Sequence, residues 1–331
     1  MTLTEWLFRG SRAKMNKREF LRAAATMAVS MVIPRSFGES QASRKTFVYK
    51  NAGGCEIKAD VYGSDPSVTK PAIIWIHGGA LIFGSRPVPP EWLNPDGRYV
   101  VVSIDYRLAP ETKLPAIIED LQDACRWVRE QGPKLFHIDA ERVAIAGESA
   151  GGYLTLMTGF SVSPPPRALV SLSGYGDITS TWYSRPSPHY SQKPPISREE
   201  AYGSLGKGGV CEPSEKDEAR WKFYLYCRQQ GTWPKEVAGH DPDTESSWFR
   251  PYCPVRNVSA AYPPTLLIHG TADTDVPYEE SVKMNEKLSE FKVRHEFVRV
   301  PGGSHCLEND APEVRTAAFR QTMNFVRMQI G

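Results

Sequence analysis

The chain has 331 residues, 40% of them hydrophobic and 24% charged, with a formal net charge of +2. That length buries a core without covalent staples, and α/β folds of this size can run as one unit. The charge balance excludes the clustered basic surface of a nucleic-acid binder. With no run of about 20 apolar residues, a spanning helix is excluded too.

The N-terminus reads as an address. Lys14, Lys17, Arg18 and Arg22 form a positive region, Ala23 to Ile33 a short apolar run, and Ser40-Gln41-Ala42 a small-x-small cleavage site. This is the layout of an export signal over residues 1–42, predicting a periplasmic or extracellular protein. The alternative is a weakly amphipathic helix on a cytoplasmic protein. Lys17-Arg18-Glu19-Phe20-Leu21-Arg22 resembles a twin-arginine signal with lysine for the first arginine, and Met15 is a second candidate start.

From residue 46 onward, short β-rich runs alternate with helical ones. Thr46 to Lys50 and Glu56 to Tyr62 read as opening strands joined by Asn51-Ala52-Gly53-Gly54. Ala72 to Ile76 and Tyr99 to Ile104 are nearly continuous apolar runs, as strands buried on both faces require. Pro115 to Gln131 places Ile117, Ile118, Leu121, Ala124, Cys125 and Val128 at helical spacing, with proline at the start. Val143 to Ala146 is a further strand, followed by a helix to about Phe160. Ala168 to Leu172, Thr265 to Ile268 and Val293 to Val300 continue the series, and Pro312 to Gln329 closes it as a helix. The alternation predicts a doubly wound, mostly parallel sheet of eight strands. Residues 174–262 break it. They are rich in Pro, Ser, Tyr and Trp, with helical pieces around Arg198 to Leu205 and Glu215 to Gln230. A connection this long is read as an inserted cap over the sheet's carboxyl edge.

Gly147-Glu148-Ser149-Ala150-Gly151 fits G-x-S-x-G between a predicted strand and a predicted helix. A turn this sharp needs small flanking residues, and it holds the hydroxyl at the top of the sheet. A serine hydroxyl needs a neighbouring base. Of seven histidines, His305 sits in Pro301-Gly302-Gly303-Ser304-His305, leaving the last strand and able to fold back over Ser149. His295 reads as a surface residue, and His137, His189 and His240 have no comparable placement. The acid candidates are Asp273 and Asp275, in the loop after Thr265 to Ile268; a carboxylate there would fix the imidazole tautomer. Asp273 is the choice, with Asp275 read as the cap of a helix starting near Pro277 or Tyr278. His77-Gly78-Gly79-Ala80 follows a buried strand, so Gly78, Gly79 and Ala80, with Ala150, are candidates for the backbone donors of an oxyanion hole. A plain glycine turn is the alternative.

The six cysteines, Cys55, Cys125, Cys211, Cys227, Cys253 and Cys306, show no metal spacing. A bridge between two of Cys211, Cys227 and Cys253 is open in an oxidising compartment, and buried free thiols are the alternative.

Together these residues resemble the α/β-hydrolase superfamily, nearest its HGGG-type esterase/lipase branch related to hormone-sensitive lipase. The resemblance runs from about Ala72 to the C-terminus, most of the cap excluded. Ser103 to Glu111 resembles the branch's D-Y-R-L-A-P-E stretch, Arg142 to Gly152 its nucleophile region, and His269 to Pro277 its H-G-x-x-D-x-x-V-P motif. The resemblance implies a triad of Ser149, Asp273 and His305 and no metal or organic cofactor, with Asp105 and Arg107 in structural pairs. The family's third glycine is Ala80 here, whose Cβ narrows the backbone angles and crowds the acyl side. The implied activity is cleavage of short- to medium-chain carboxylic esters, a small-molecule substrate with no nucleic acid or membrane insertion. Alternatives are an exported acetyl- or feruloyl-sugar esterase, a peptidase or amidase on the same fold, and a non-catalytic binding protein. Twelve aromatic residues from Trp182 to Tyr252 are read mostly as the cap's own core, with a few lining the entrance.

Overall fold

The computed structural model describes residues 44–331 except 204, 207 and 213–216, with backbone alone for 217–219. The predicted export signal lies outside the described residues. Eight strands form one sheet: β1 (Lys45–Ala52), β2 (Cys55–Tyr62), β3 (Lys70–Ile76), β4 (Val100–Ile104), β5 (Ile138–Glu148), β6 (Ala168–Leu172), β7 (Thr265–Gly270) and β8 (His295–Val300). Their spatial order is β1-β2-β4-β3-β5-β6-β7-β8. The β1–β2 and β2–β4 pairs are antiparallel, and the other five are parallel.

The middle strands read as unbroken apolar runs because helices cover both faces. In β3, Ala72, Ile74 and Ile76 join the core with α1 (Leu114–Phe136) and α2 (Ala150–Ser161). Ile73 and Trp75, pointing the other way, pack with Phe319, Met323, Phe325 and Val326 of α8 (Pro312–Ile330). The pairs predicted around the D-Y-R-L-A-P-E stretch are present, though not between Asp105 and Arg107. Arg107 grips buried Asp120 of α1 through two 2.7 Å contacts, and Asp105 takes Arg86. All six cysteines are free and buried, so no bridge joins Cys211, Cys227 and Cys253.

The β6–β7 connection contributes α3 (Thr181–Ser184), α4 (Arg198–Gly203), α5 (Asp217–Gln230) and α6 (Trp233–Ala238). Of the twelve aromatic side chains from Trp182 to Tyr252, six are buried (Tyr183, Tyr190, Phe223, Tyr224, Trp233 and Phe249). It is anchored to loops at the carboxyl ends of the strands and to α2. The Trp233 indole N–H donates to Ala80 O at 2.9 Å, Arg220 pairs with Glu111 at 2.9 Å, and the Tyr153 hydroxyl donates to Tyr252 O at 2.9 Å. No helix among the described residues is long and apolar enough to cross a membrane.

The packing of α2 on the sheet sets one stability prediction. A Cβ on Gly151 would lie 2.0 Å from Ile76 O and 2.6 Å from His77 O, both backbone atoms that cannot swing aside. Gly151→Ala is therefore expected to lower stability by about 3 kcal/mol or more, above the middle of the overpacking range. The urea midpoint measures this, and a midpoint equal to wild type would contradict so close an approach of helix to strand.

Candidate active site

Three loops meet at the carboxyl edge of the sheet. Ser149 is the hinge between β5 and α2, at φ 53°, ψ −119°. A non-glycine residue there is strained by roughly 1–3 kcal/mol. The flanking bonds hold it: Ser149 N–H donates to Leu172 O at 2.8 Å, and Tyr153 N–H closes the first helical turn onto Ser149 O at 3.0 Å. Ser149 is 9% exposed, and its hydroxyl bonds no other side chain among the described residues.

Asp273 lies in the loop after β7, with its side chain fully buried. One oxygen, Oδ1, accepts the N–H groups of Asp275 and Val276, each at 2.9 Å. The other, Oδ2, takes His305 Nδ1 at 2.7 Å and His269 Nε2 at 3.1 Å. Burial alone would raise the Asp273 pKa, but bonds from His269 and His305 outweigh it and hold this carboxyl well below the usual range. An ionised carboxylate only accepts, so Nδ1 of His305 carries a proton. His269 is set likewise. Its Nε2 faces two acceptors, Asp273 and Val276 O at 3.1 Å, leaving Nδ1 to accept from the Ser281 hydroxyl at 2.7 Å.

His305 leaves β8 in a loop fastened to its neighbours. Ala272 N–H donates to Gly303 O at 3.0 Å, Cys306 N–H to the Ser173 hydroxyl at 3.0 Å, and the Ser304 hydroxyl to Asp310 at 2.6 Å. Burial opposes the charged imidazole, yet Cys306 and the Asp273 carboxylate outweigh it and hold the His305 pKa well above its ordinary value. Burial pushes the Cys306 thiol up to about 12, so it is neutral near pH 7 and Asp273 is the stabilising charge.

The glycine loop after β3 closes the third side. Gly79 has φ 97°, and a Cβ there would strike Phe83 O at 2.0 Å. Ala80, despite its Cβ, adopts φ 54°, with its carbonyl fixed by Trp233. The N–H groups of Gly79, Ala80 and Ala150 donate to no protein acceptor among the described residues, and Ala150 is the first residue of α2, where the helix dipole presents positive charge. The Gly78 carbonyl accepts from the Tyr106 hydroxyl at 3.2 Å, and its N–H, like those three, donates to no protein acceptor among the described residues. Buried His77 stacks on Tyr106 at 4.3 Å, and desolvation lowers its pKa to about 4, so it is neutral.

Asp275 departs from its expected role. The helix after it, α7 (Glu279–Glu290), starts later and takes no side-chain cap from it. Asp275 Oδ1 instead accepts the Tyr224 hydroxyl at 2.5 Å and Arg228 at 2.8 Å, both from α5. Neither was singled out from sequence. An arginine four residues after a tyrosine, on an aromatic helix, was the signal available. Glu148, beside Ser149, is pushed up to about 7 by burial and by the charge of Glu308.

A family model described as alpha/beta hydrolase fold matches residues 73–206, and one described as prolyl oligopeptidase family matches residues 220–331. The chain is 26% identical to the non-reducing polyketide synthase Preu3 of Preussia isomera over 88% of its own length but only 13% of that protein's. It is 28% identical to the esterase LipC of Mycobacterium tuberculosis, over 74% of this chain and 58% of LipC. A solved Pyrobaculum calidifontis esterase superposes with a TM-score of 0.60 at 24% identity, covering 98% of this chain and 96% of that one. The chain thus spans less than two-thirds of the length of these curated relatives.

Proposed function

We propose, on the premise that this chain belongs to the α/β-hydrolase superfamily in its HGGG-type esterase/lipase branch, that it cleaves carboxylic esters of short to medium acyl chains by a Ser-His-Asp acyl-enzyme mechanism. The observation that carries this reading is the 2.7 Å contact of His305 Nδ1 with a buried, ionised Asp273, in the loops after β8 and β7 at the same sheet edge as a serine held at the strained elbow after β5. Asp273 fixes the tautomer that leaves Nε2 free to take a proton.

In the first step His305 Nε2 removes the Ser149 proton as Oγ attacks the ester carbonyl. The N–H groups of Gly79, Ala80 and Ala150 receive the charge that builds on the carbonyl oxygen. The imidazolium then protonates the leaving alcohol. Water, deprotonated by the same ring, splits the acyl-enzyme and returns Ser149. The LipC resemblance supports an ester substrate. Amide hydrolysis is the second reading, favoured by the prolyl oligopeptidase match over the segment carrying Asp273 and His305.

The short-chain reading is supported by the acyl side of the elbow, where Ala80 is 4% exposed and its carbonyl is held by Trp233. In a chromogenic ester series from acetyl to palmitoyl, kcat/KM is expected to be at least about tenfold higher for acetyl and butyryl than for palmitoyl. Activity rising toward palmitoyl would refute a small acyl pocket. A matched amide turned over as fast as its ester would move the assignment to the second reading.

A further inference from the structure

We propose that Asp275 is a specificity-determining residue whose second carboxylate oxygen accepts a hydroxyl of the leaving alcohol, making esters of polyols and sugars the preferred substrates. The inference rests on the esterase reading above and names its alcohol side.

Its starting point is the second face of the imidazole. Nδ1 of His305 is taken by Asp273, while Nε2 lies 3.7 Å from Asp275 Oδ2. Asp275 is held so that it cannot turn away. Its Oδ1 is saturated by Tyr224 and Arg228, and its backbone carbonyl accepts from Arg228 at 3.1 Å. The Arg228 side chain is itself only 3% exposed. Its guanidinium lies among the rings of Trp182, Tyr183, Tyr190 and Tyr224, 4.9 to 5.7 Å from their centroids. Such stacking fixes a planar cation in place.

Oδ2 faces the reacting ring from a side chain 19% exposed, with the Tyr190 hydroxyl as a further neighbour of the carboxylate. The leaving oxygen must come within hydrogen-bond reach of Nε2 to be protonated. A group 3.7 Å from Nε2 therefore meets the part of the alcohol next to the ester oxygen, and a hydroxyl on the adjacent carbon reaches Oδ2. A carboxylate oxygen only accepts, so the partner must be a donor. Arg228 already balances the charge of Asp275, which favours a neutral hydroxyl over an ammonium. An alkyl alcohol would leave Oδ2 facing apolar atoms and stripped of water, which costs binding in the transition state.

The test compares two esters with one acyl group, glycerol monoacetate and propyl acetate, followed by acid release with full-length wild type and Asp275→Asn on the alkaline plateau. Wild type is expected to favour glycerol monoacetate in kcat/KM. Asp275→Asn is expected to lose about 10- to 100-fold on that ester and less than about threefold on propyl acetate. The ratio of the two does not depend on how much enzyme is folded, so a residue that merely anchors α5 would leave it unchanged. Should the asparagine variant fail to fold, Asp275→Glu keeps the charge for Arg228, and its expected result is a lowered ratio. Equal losses on both esters, or no preference in wild type, would overturn the assignment. If wild type hydrolyses neither ester, the esterase reading has failed, and the proposal falls with it.

Discussion

Ser149→Ala is expected to lower kcat on a short-chain ester by about 10⁴- to 10⁶-fold while leaving the fold intact. The size follows from what the hydroxyl does in the proposed reaction. Without it there is no acyl-enzyme, and residues that act as one unit lose nearly everything when one is removed. What remains is the contribution of the Gly79, Ala80 and Ala150 N–H groups to direct attack by water. Stability should hardly change. The Ser149 hydroxyl has no side-chain partner to leave unsatisfied, and alanine occupies φ 53° at a cost close to serine's. Two measurements check this together. The urea midpoint should match wild type, and intact mass after brief exposure to an acetyl ester should show the added acyl group on wild type alone. Activity within about tenfold of wild type in a folded Ser149→Ala protein would place the chemistry elsewhere.

Most of what builds this site was legible because it is local. The elbow announces itself by small residues around Ser149, forced by backbone approach: Gly151 has no room for a Cβ against Ile76 O. The buried strands are legible because a sheet covered on both faces leaves no polar alternation to confuse with a helix. Boundaries were less so. Strand β5 begins at Ile138, opposite Lys70, ahead of the apolar run at Val143, because Asp139 to Arg142 form a register shift between the two paired stretches and are not fully buried. Helix α1 continues past Gln131 through Pro133 to Phe136, as packing of Phe136 in the core outweighs the missing donor.

The partners of Asp275 were out of reach for a different reason. Tyr224 and Arg228 are 51 and 47 residues away from it, in a connection with no repeating pattern to set its path. Local chemistry made Asp275 a good cap for the next helix, but one ion pair with a nearly buried guanidinium outweighs a cap bond at the surface. Burying Arg228 without an anion would be the more costly arrangement. The same logic explains Trp233, whose buried indole N–H needs an acceptor and finds it in Ala80 O. In both cases a side chain from the connection is committed to the loops that carry the candidate site, so substitutions in α5 or α6 bear on chemistry they do not touch.

Asp273→Asn is expected to cost about 10⁴-fold in kcat, the scale found when a triad acid becomes an amide. Here the direction in which the amide must turn can be derived. Oδ1 of Asp273 accepts two backbone N–H groups, from Asp275 and Val276, so asparagine keeps its carbonyl oxygen there. Its NH2 then faces His305 Nδ1 and His269 Nε2, both of which now donate to the carboxylate. One remedy is for His305 to move its proton to Nε2 and accept through Nδ1. That tautomer has nothing to take the Ser149 proton with. The pH profile separates this from simple misplacement. In wild type the raised His305 pKa means the base form is gained only as pH rises through a value above the ordinary 6.5, so kcat/KM should climb on an alkaline-shifted limb. Removing the carboxylate removes the charge that raises it. The variant's limb should therefore move to lower pH while its plateau falls by orders of magnitude. A variant with a lowered plateau and an unmoved limb would show that Asp273 does not set the charge on His305. An unchanged plateau would remove Asp273 from the mechanism altogether.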